Sequence, residues 1–179
     1  IGNPEKLKIL LMYGVRNNEE FEYVKESENE LINIGFKNEN IFHVNFGQDK
    51  IKKFENFDAI YFCGGNTYYI LDRIRKLNLD KLIINFINNG GFYIGVSAGC
   101  IIIGPSVEIA GWGSEGDTND VNLKKLKGLN LINIAIFPHY KDSQKKEIEE
   151  FSKKVEYPVQ ELRDGEGLVI NNELRKIIK

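Results

Sequence analysis

The sequence predicts an α/β protein whose mostly parallel sheet is covered by helices on both faces. Patterns typical of strands and of helices alternate along its 179 residues. Several strand patterns are short, continuous apolar runs, which is typical of strands buried on both faces. The length suits one domain over residues 1–179, and the composition, 42% hydrophobic and 28% charged, is that of a globular protein.

The first part of the chain predicts three strands and two helices. Strands are expected at residues 7–13, 41–46 and 58–63. The first strand leads into a helix that is capped by Asn17 or Asn18 and ends near Gly35. The apolar side of this helix is expected to consist of Phe21, Val24, Leu31 and Ile32. The third strand ends sharply at Gly64 and Gly65. A helix follows it, with its apolar spacing set by Ile70, Leu71, Ile74 and Leu77.

The second part continues the alternation. A helix is expected with Asp80 as its cap and Gly90 after its end. The strand pattern over residues 91–96 then turns at Ser97 into a short helix. Residues 104–120, rich in Gly, Ser and Asp, predict a surface loop. Further strands are expected at residues 131–137, 157–162, 168–170 and 174–178, and a charged helix at residues 143–155.

Composition and charge disfavour several classes of function. The chain has 24 Lys and Arg against 26 Asp and Glu, a net charge of −2, so there is no basic excess for nucleic acid. No apolar run approaches the ~20 residues of a membrane-spanning helix. Two cysteines cannot form a disulfide framework, and two histidines leave a zinc site short of ligands. We expect a monomer or homodimer of the reducing cytoplasm that needs no metal or cofactor.

The strongest functional signal is the run Gly95-Val96-Ser97-Ala98-Gly99 between a strand pattern and a helix pattern. It fits G-x-S-x-G, the nucleophile elbow, in which a tight turn lifts the serine hydroxyl above the sheet. The glycines permit the close backbone approach, and the N–H of Ala98 points into the site at the start of the helix. We predict Ser97 as a nucleophile. The alternative is a serine packed in an ordinary tight turn.

A nucleophilic serine needs a base and an orienting carboxylate. His43 lies in an alternating strand pattern, where a partly buried structural histidine is expected. His139 follows a strand, at the sheet edge where α/β proteins bind ligands, and is the predicted base. The carboxylate is expected at Asp164 or Glu166, although either could be a solvated turn charge. The order nucleophile, His, acid matches glutaminase-like folds and differs from that of α/β-hydrolases.

The turn Gly64-Gly65-Asn66-Thr67 is the predicted source of a second N–H donor for a tetrahedral intermediate. It also joins a strand to a helix, and its glycines let an amide face the site with no side chain in the way. A phosphate cradle is the other interpretation, but neither a G-x-G-x-x-G run nor a Walker lysine is present. Asp117 and Asp120 could face a substrate amine, although solvated loop charges are the usual case.

Four segments together resemble the peptidase E (aspartyl dipeptidase) family of serine peptidases, which also contains cyanophycinase. They occur in the family's order, and the resemblance runs from about residue 7 to the end. The segments are residues 64–67, 93–99, 138–140 and 162–165. The resemblance implies a class I glutaminase amidotransferase-like fold with flavodoxin-like topology. It also implies cofactor-free hydrolysis of short peptides, in the best-known members those with an N-terminal Asp.

The same resemblance implies a Ser-His-acid triad. By motif, Ser97 falls on the nucleophile and His139 on the base. Asp164 falls on the acid, where the family often has Glu, so Glu166 stays a second candidate. The amides implied to form the oxyanion hole are those of Gly65 and Ala98.

We therefore expect a serine peptidase, of dipeptidase or exopeptidase type, whose partner is a short peptide and which binds neither nucleic acid nor membrane. Two alternatives stay open: a catalytically silent binding domain on the same fold, and a Ser-dependent amidohydrolase. A thiol enzyme is disfavoured because Cys100 lies past the elbow; Cys63 and Cys100 are expected to be buried small hydrophobes. The family pattern differs in having Ala at Cys100 and an additional strand and helix before residues 7–13.

Overall fold

Four parallel strands form the central sheet of the computed structural model, which describes residues 2–46, 53–171 and 174–179. In spatial order they are β2 (Ile41–Asn45), β1 (Ile9–Tyr13), β3 (Ala59–Phe62) and β4 (Phe92–Gly95). All three pairings are parallel. The order 2-1-3-4 is that of flavodoxin-like proteins. The predicted α/β fold with a mostly parallel sheet is confirmed.

Helices connect the strands and cover the sheet. They are α1 (Asn18–Asn33), α2 (Thr67–Lys76), α3 (Leu79–Asn88), α4 (Ala98–Ile102) and α5 (Lys145–Ser152). None of the helices in the described ranges is long and apolar enough to cross a membrane.

The strand β1 shows how the sequence produces this layering. All five of its residues are buried. Ile9, Leu11 and Tyr13 belong to the apolar cluster that contains α1 residues, whereas Leu10 and Met12 belong to the larger cluster with α2, α3 and α4. Successive side chains of a strand point to opposite faces, so a continuous apolar run fills both cores. Burial of each such side chain contributes about 1.5–3 kcal/mol.

The remaining strands lie apart from the central sheet. β5 (Ala135–Phe137) and β6 (Val159–Glu161) form a parallel pair. β7 (Gly167–Asn171) and β8 (Leu174–Ile178) form an antiparallel pair. The larger core cluster includes residues of β5 and continues to Leu162, so the β5–β6 pair packs on the same core as α4.

Some elements differ from the sequence-based expectation. β5 is shorter than residues 131–137 because the N–H groups of Leu131 and Ile132 donate to the carbonyl of Ile103, which holds this segment against the end of α4. Asp80 is not a cap, since α3 begins one residue earlier, after Asn78 in the left-handed region.

The apolar side of α1 is narrower than its sequence pattern suggests. Val24 and Leu31 are buried, together with Ser27, at spacings of three and four residues. Phe21 and Ile32 were expected on this side, but they are 37% and 40% exposed. These two apolar residues lie at the edges of the buried stripe, where part of each side chain faces solvent.

Candidate active site

Ser97 lies at the turn between β4 and α4. Its backbone has φ +52° and ψ −116°, a conformation that side-chain-bearing residues rarely adopt. Such strain costs about 1–3 kcal/mol and persists only where the surroundings enforce it. A Cβ atom on Gly95 would lie 2.6 Å from the Gly99 carbonyl, and one on Gly99 would lie 2.6 Å from the Phe62 oxygen. Packing of α4 against β3 and β4 therefore requires both glycines of the elbow.

Two hydrogen bonds form a chain from Ser97 to His139 and from His139 to Asp164, three residues that lie far apart in the sequence. The Nε2 atom of His139 lies 3.0 Å from Ser97 Oγ. The Nδ1 atom of His139 lies 2.6 Å from Asp164 Oδ1. An imidazole with one nitrogen on a hydroxyl and the other on a carboxylate can take a proton from the hydroxyl and hold the positive charge that results.

The pairing of β5 with β6 brings His139 and Asp164 together. The Leu162 N–H donates to the Phe137 carbonyl at 2.9 Å, and the Tyr140 N–H donates to the Leu162 carbonyl at 3.0 Å. This register places the loop after β6 beside the loop after β5. His139 itself has φ +58°, so its backbone is also in the left-handed region.

Glu166, the second candidate for the acid, has other partners. Its Oε2 atom accepts from the N–H of Arg163 at 3.1 Å, and its Oε1 atom is 3.7 Å from Lys179 Nζ. The carboxylate in contact with the imidazole is therefore that of Asp164.

The glycine turn after β3 approaches Ser97 closely. A Cβ atom on Gly64 would lie 3.2 Å from Ser97 Cβ and 3.6 Å from its Oγ. Gly65 has φ +133°, which favours glycine. Within residues 2–46, 53–171 and 174–179, no acceptor lies on the N–H of Gly65 or of Ala98. Both amides are thus without a hydrogen-bond acceptor in these ranges.

A long-range contact that sequence reasoning missed holds this turn. Asn66 caps α2 by accepting from the Tyr69 N–H at 2.9 Å, and its Nδ2 donates to the Thr118 carbonyl at 2.9 Å. Asp117 Oδ2 accepts the Thr67 N–H at 2.8 Å. The cap signal of Asn66 is visible in the sequence, but a partner fifty residues away is not. Asp117 was expected either to be a solvated charge or to face a substrate amine, and the contact with α2 was not foreseen.

Ser97, His139 and Gly65 open into a cleft of about 120 Å³. Its apolar lining consists of Ile101, Ile109, Ala110, Trp112, Phe137 and Pro138. Its other lining residues are Thr67, Glu115, Gly116, Asp117 and Gln144. In the part of the chain that the structure describes, no Lys or Arg lines the cleft.

Cations near the cleft are already in ion pairs. Lys141 Nζ lies 2.9 Å from a carboxylate oxygen of Glu115. Arg16 lies 2.7 Å from Glu20 and 3.5 Å from Asp120. Asp120, like Asp117, therefore has a partner within the protein.

The two thiols are buried, as the sequence predicts. The Cys100 thiol donates to the carbonyl oxygen of Ser97 at 2.8 Å. Burial raises the pKa of Cys63 and of Cys100 to about 12. Because a thiolate is the nucleophilic form, neither cysteine is in its nucleophilic form near neutral pH.

His43 lies outside this site. It lies on β2, at the edge of the central sheet, and its Nε2 atom is 3.1 Å from Glu28 Oε1. Its side chain is 33% exposed and packs edge-on against the Tyr13 ring, so it is the partly buried strand histidine that the sequence predicts. Among the described residues, no three His, Cys, Asp or Glu side chains cluster in a way that could hold a metal ion.

Comparison with protein families gives one match over most of the chain. The model described as Peptidase family S51 matches residues 13–178. An uncharacterized peptidase of Listeria monocytogenes serovar 1/2a is 36% identical over 96 residues, which cover 54% of this chain and 46% of that protein. An uncharacterized peptidase of Pasteurella multocida is 30% identical over 134 residues, 72% of this chain and 62% of that protein. Peptidase E of Haemophilus influenzae is 32% identical over 122 residues, 66% and 51% of the two chains.

The chain spans about half the length of such relatives, from 43% to 62%. Among solved structures, a candidate peptidase E protein from Listeria monocytogenes EGD-e matches with a TM-score of 0.80 and 23% identity, over 100% of this chain and 89% of that one. A peptidase from an acI-B1 actinobacterium matches with a TM-score of 0.58 and 15% identity, over 97% and 75%. At these identities the structural likenesses show the fold.

Proposed function

The chain belongs to peptidase family S51, a family of serine peptidases, and from this membership we propose that it hydrolyses short peptides through an acyl-enzyme on Ser97. The observation that carries the proposal is the pair of contacts made by His139, at 3.0 Å to Ser97 and 2.6 Å to Asp164. The resemblance to peptidase E is confirmed by the family match. The substrates and the activity of the whole protein are part of the proposal.

In the proposed reaction, Ser97 Oγ attacks the peptide carbonyl carbon while His139 Nε2 takes the hydroxyl proton. The intermediate collapses when His139 returns this proton to the leaving amine, which departs and leaves the acyl-enzyme. Water then attacks the acyl carbon, and His139 takes a proton from it. The proton returns to Ser97 Oγ as the carboxylic product leaves. Asp164 holds the proton on Nδ1 and stabilises the imidazolium throughout.

The amides of Gly65 and Ala98 are proposed to bind the oxyanion of both tetrahedral intermediates. The proposal is supported by the short approach of the Gly64 backbone to Ser97 and by the absence, within the described ranges, of another acceptor on either N–H. Loss of one such donor typically lowers the rate by roughly 10²–10³-fold. The strained backbone of Ser97 also supports a functional role for the turn that contains Ala98, because strain of this kind concentrates at functional sites.

We propose short peptides, of the dipeptidase or exopeptidase type, as substrates. A preference for N-terminal Asp stays a prediction, because it requires a cation beside the substrate side chain. The candidates near the cleft, Arg16 and Lys141, are both in ion pairs. A cytoplasmic location also stays a prediction, and the two unpaired thiols support it.

The test is hydrolysis of a dipeptide panel by the wild type, by Ser97→Ala and by the control Ser152→Ala. Ser152 is exposed on α5, where its hydroxyl donates to the Ile148 carbonyl. We expect cleavage by the wild type and the control and none by Ser97→Ala. A folded wild type that cleaves no dipeptide would contradict the proposal. Ammonia release from glutamine in the same assay would instead identify an amidohydrolase.

A further inference from the structure

The loops after β5 and β6 carry His139 and Asp164, but the backbone contact between these loops ends before it reaches the acid. The Leu162 carbonyl accepts the last such bond, at 3.0 Å, from the N–H of the residue after His139. In the ranges that the structure describes, no backbone hydrogen bond joins residues 163–166 to residues 138–142. Strand register therefore places the loops side by side, but it does not alone hold Asp164 at 2.6 Å from His139.

The side chain of Arg163 crosses between the two loops at this point. Arg163 directly precedes Asp164 in the chain. Its Nη2 atom donates to Asp142 Oδ1, and its guanidinium carbon lies 5.1 Å from the centre of the Tyr140 ring. Both partners belong to the loop after β5, where Tyr140 directly follows His139. Arg163 thus joins the neighbour of the proposed acid to the neighbour of the proposed base.

The two partners of Arg163 are themselves held in place. Tyr140 is buried, and its ring packs edge-on against Phe137 of β5, with the ring centres 6.5 Å apart. The N–H of the residue before Asp142 donates to the buried side chain of Gln144 at 2.9 Å. A planar guanidinium group can lie over an aromatic ring and donate to a carboxylate at the same time. These two fixed partners therefore define the position of the Arg163 side chain.

The turn that contains Asp164 is tied to Arg163 by its own hydrogen bonds. The Glu166 N–H donates to the Arg163 carbonyl at 2.9 Å. In the opposite direction, the Arg163 N–H donates to Glu166 Oε2 at 3.1 Å. Gly165, with φ +83°, supplies the left-handed residue of this tight turn. Contacts that fix Arg163 therefore also fix the direction in which the Asp164 carboxylate points.

The contacts of Arg163 matter more for geometry than for stability. The side chains of Arg163 and Asp142 are 47% and 81% exposed, and exposed ion pairs add little to the free energy of unfolding. By contrast, a displacement of about 1 Å between reacting groups can cost roughly 10²-fold in rate. Arg163 does not line the cleft, so its effect on the reaction has to pass through the residues that it holds.

We infer that Arg163 is a positioning residue, which holds the turn that carries Asp164 against the loop that carries His139. The inference rests on the proposed peptidase function and adds to it the contact that keeps acid and base together where strand register ends. Without Arg163, the Asp164 carboxylate spends less time on the imidazole. The loss is expected in kcat, because Arg163 orients the proposed catalytic groups and lies outside the substrate cleft.

The test measures dipeptide hydrolysis by Arg163→Ala and by the conservative variant Arg163→Lys. Arg163→Ala should lower kcat about 10-fold, because the acid is misplaced for part of the time but is not removed. The same variant should change KM by less than about twofold, since no substrate contact is lost. Arg163→Lys keeps a cation that can reach both the ring and the carboxylate, so it should lower kcat by less than about threefold.

Lys25→Ala is the matched control. Lys25 on α1 also pairs with a carboxylate, that of Glu22 at 2.8 Å, and its Nζ atom lies 5.7 Å from the centre of the Phe21 ring. This control should leave kcat unchanged. The melting temperatures of all three variants should stay within about two degrees of the wild type, because the substituted side chains are exposed.

A double-mutant cycle separates positioning from a purely structural role. The Asp164→Asn background has no carboxylate to position, so adding Arg163→Ala should lower kcat by less than about twofold. A further loss of about 10-fold in this background would mean that Arg163 acts independently of Asp164, and the inference would be wrong.

The remaining outcomes are equally decisive. If Arg163→Ala is as active as the wild type, the inference is overturned and the proposed function stands. If Lys25→Ala loses as much kcat as Arg163→Ala, the effect comes from the loss of any surface cation, and the inference is again overturned. If the folded wild type cleaves no dipeptide, the proposed function fails and the inference fails with it.

Discussion

The two sides of the cleft are built in different ways. On one side, α4 packs so closely on the sheet that a Cβ atom on Gly99 would lie 2.6 Å from the Phe62 oxygen. On the other side, the side chains of His139 and Asp164 are 58% and 80% exposed. Buried packing therefore positions the proposed nucleophile, whereas strand register positions the proposed base and acid. We expect substitutions on the first side to cost stability and those on the second side to cost activity alone.

Asp164→Asn provides the largest expected effect. The amide cannot stabilise the imidazolium, so we expect kcat/KM for a dipeptide to fall about 10³-fold, or about 4 kcal/mol in the barrier. The melting temperature should stay within about a degree of the wild type because this side chain is exposed. Glu166→Gln is the matched control, since its carboxylate contacts the Arg163 N–H, and it should lose less than threefold. A larger loss in Glu166→Gln would assign the acid to the other residue.

Gly99→Ala tests the packed side. The added methyl group would meet the backbone of β3, which cannot move away as a flexible side chain can. We expect the free energy of unfolding in urea to fall by about 3 kcal/mol. Gly90→Ala is the control: no atom lies within 4 Å of its Cβ position, and only its φ of +90° opposes alanine, at about 1 kcal/mol. Equal losses in the two variants would mean that packing at the elbow is not tight.

The pH dependence of stability should also come from the packed side. Burial raises the pKa of the Cys63 and Cys100 thiols from 9.0 to about 12. The folded state therefore holds both protons more tightly than the unfolded state. Their contribution is fully present below pH 9 and is lost as the pH rises toward 12, by up to about 1.4 kcal/mol per pH unit for each thiol.

This contribution can be measured by urea unfolding near pH 8 and near pH 10. The wild type should lose more stability between the two than the double variant Cys63→Ala/Cys100→Ala. If the double variant loses as much stability as the wild type between these two pH values, the pH dependence of stability comes from other groups. Activity near neutral pH should not require either thiol.

Asn66→Ala gives the smallest expected effect and tests whether stability and activity are linked at the turn before α2. Loss of the cap on α2 and of the hydrogen bond to the Thr118 carbonyl should together lower the free energy of unfolding by about 2 kcal/mol. Because Asn66 also follows the proposed oxyanion turn, we expect kcat to fall by about 10-fold as well. Asn17→Ala removes the corresponding cap of α1, where Asn17 accepts the Glu20 N–H at 2.9 Å. It should lower the free energy of unfolding by about 1 kcal/mol and leave kcat unchanged. A loss of kcat in both variants would mean that the activity does not depend on the turn at Asn66.

The difference between the two sides of the cleft, local packing on one and strand register on the other, also explains which features can be predicted from the sequence. The turns at Gly64 and Ser97 are local, because each consists of a strand, a few residues with special backbone requirements and a helix. Local patterns therefore predict both turns, and likewise the position of His139 at the end of a strand. The choice between Asp164 and Glu166 depends on the register of β5 with β6, which no single segment encodes.

Long-range contacts account for the rest of what the sequence does not show. The hydrogen bond from the Thr67 N–H to Asp117 joins segments fifty residues apart, so composition alone suggests a solvated charge. β5 is shortened by bonds from Leu131 and Ile132 to the end of α4, which override the apolar strand pattern. In both cases a tertiary hydrogen bond decides the outcome, and local propensity does not.

The activation of Ser97 can be measured directly by covalent labelling with a fluorophosphonate, followed by peptide mapping with mass spectrometry. We expect a single stoichiometric adduct on Ser97 in the wild type, at least about 100-fold slower labelling in His139→Ala, and none in Ser97→Ala. An adduct on a different residue, or equal labelling rates in the wild type and His139→Ala, would contradict an activated serine at the elbow.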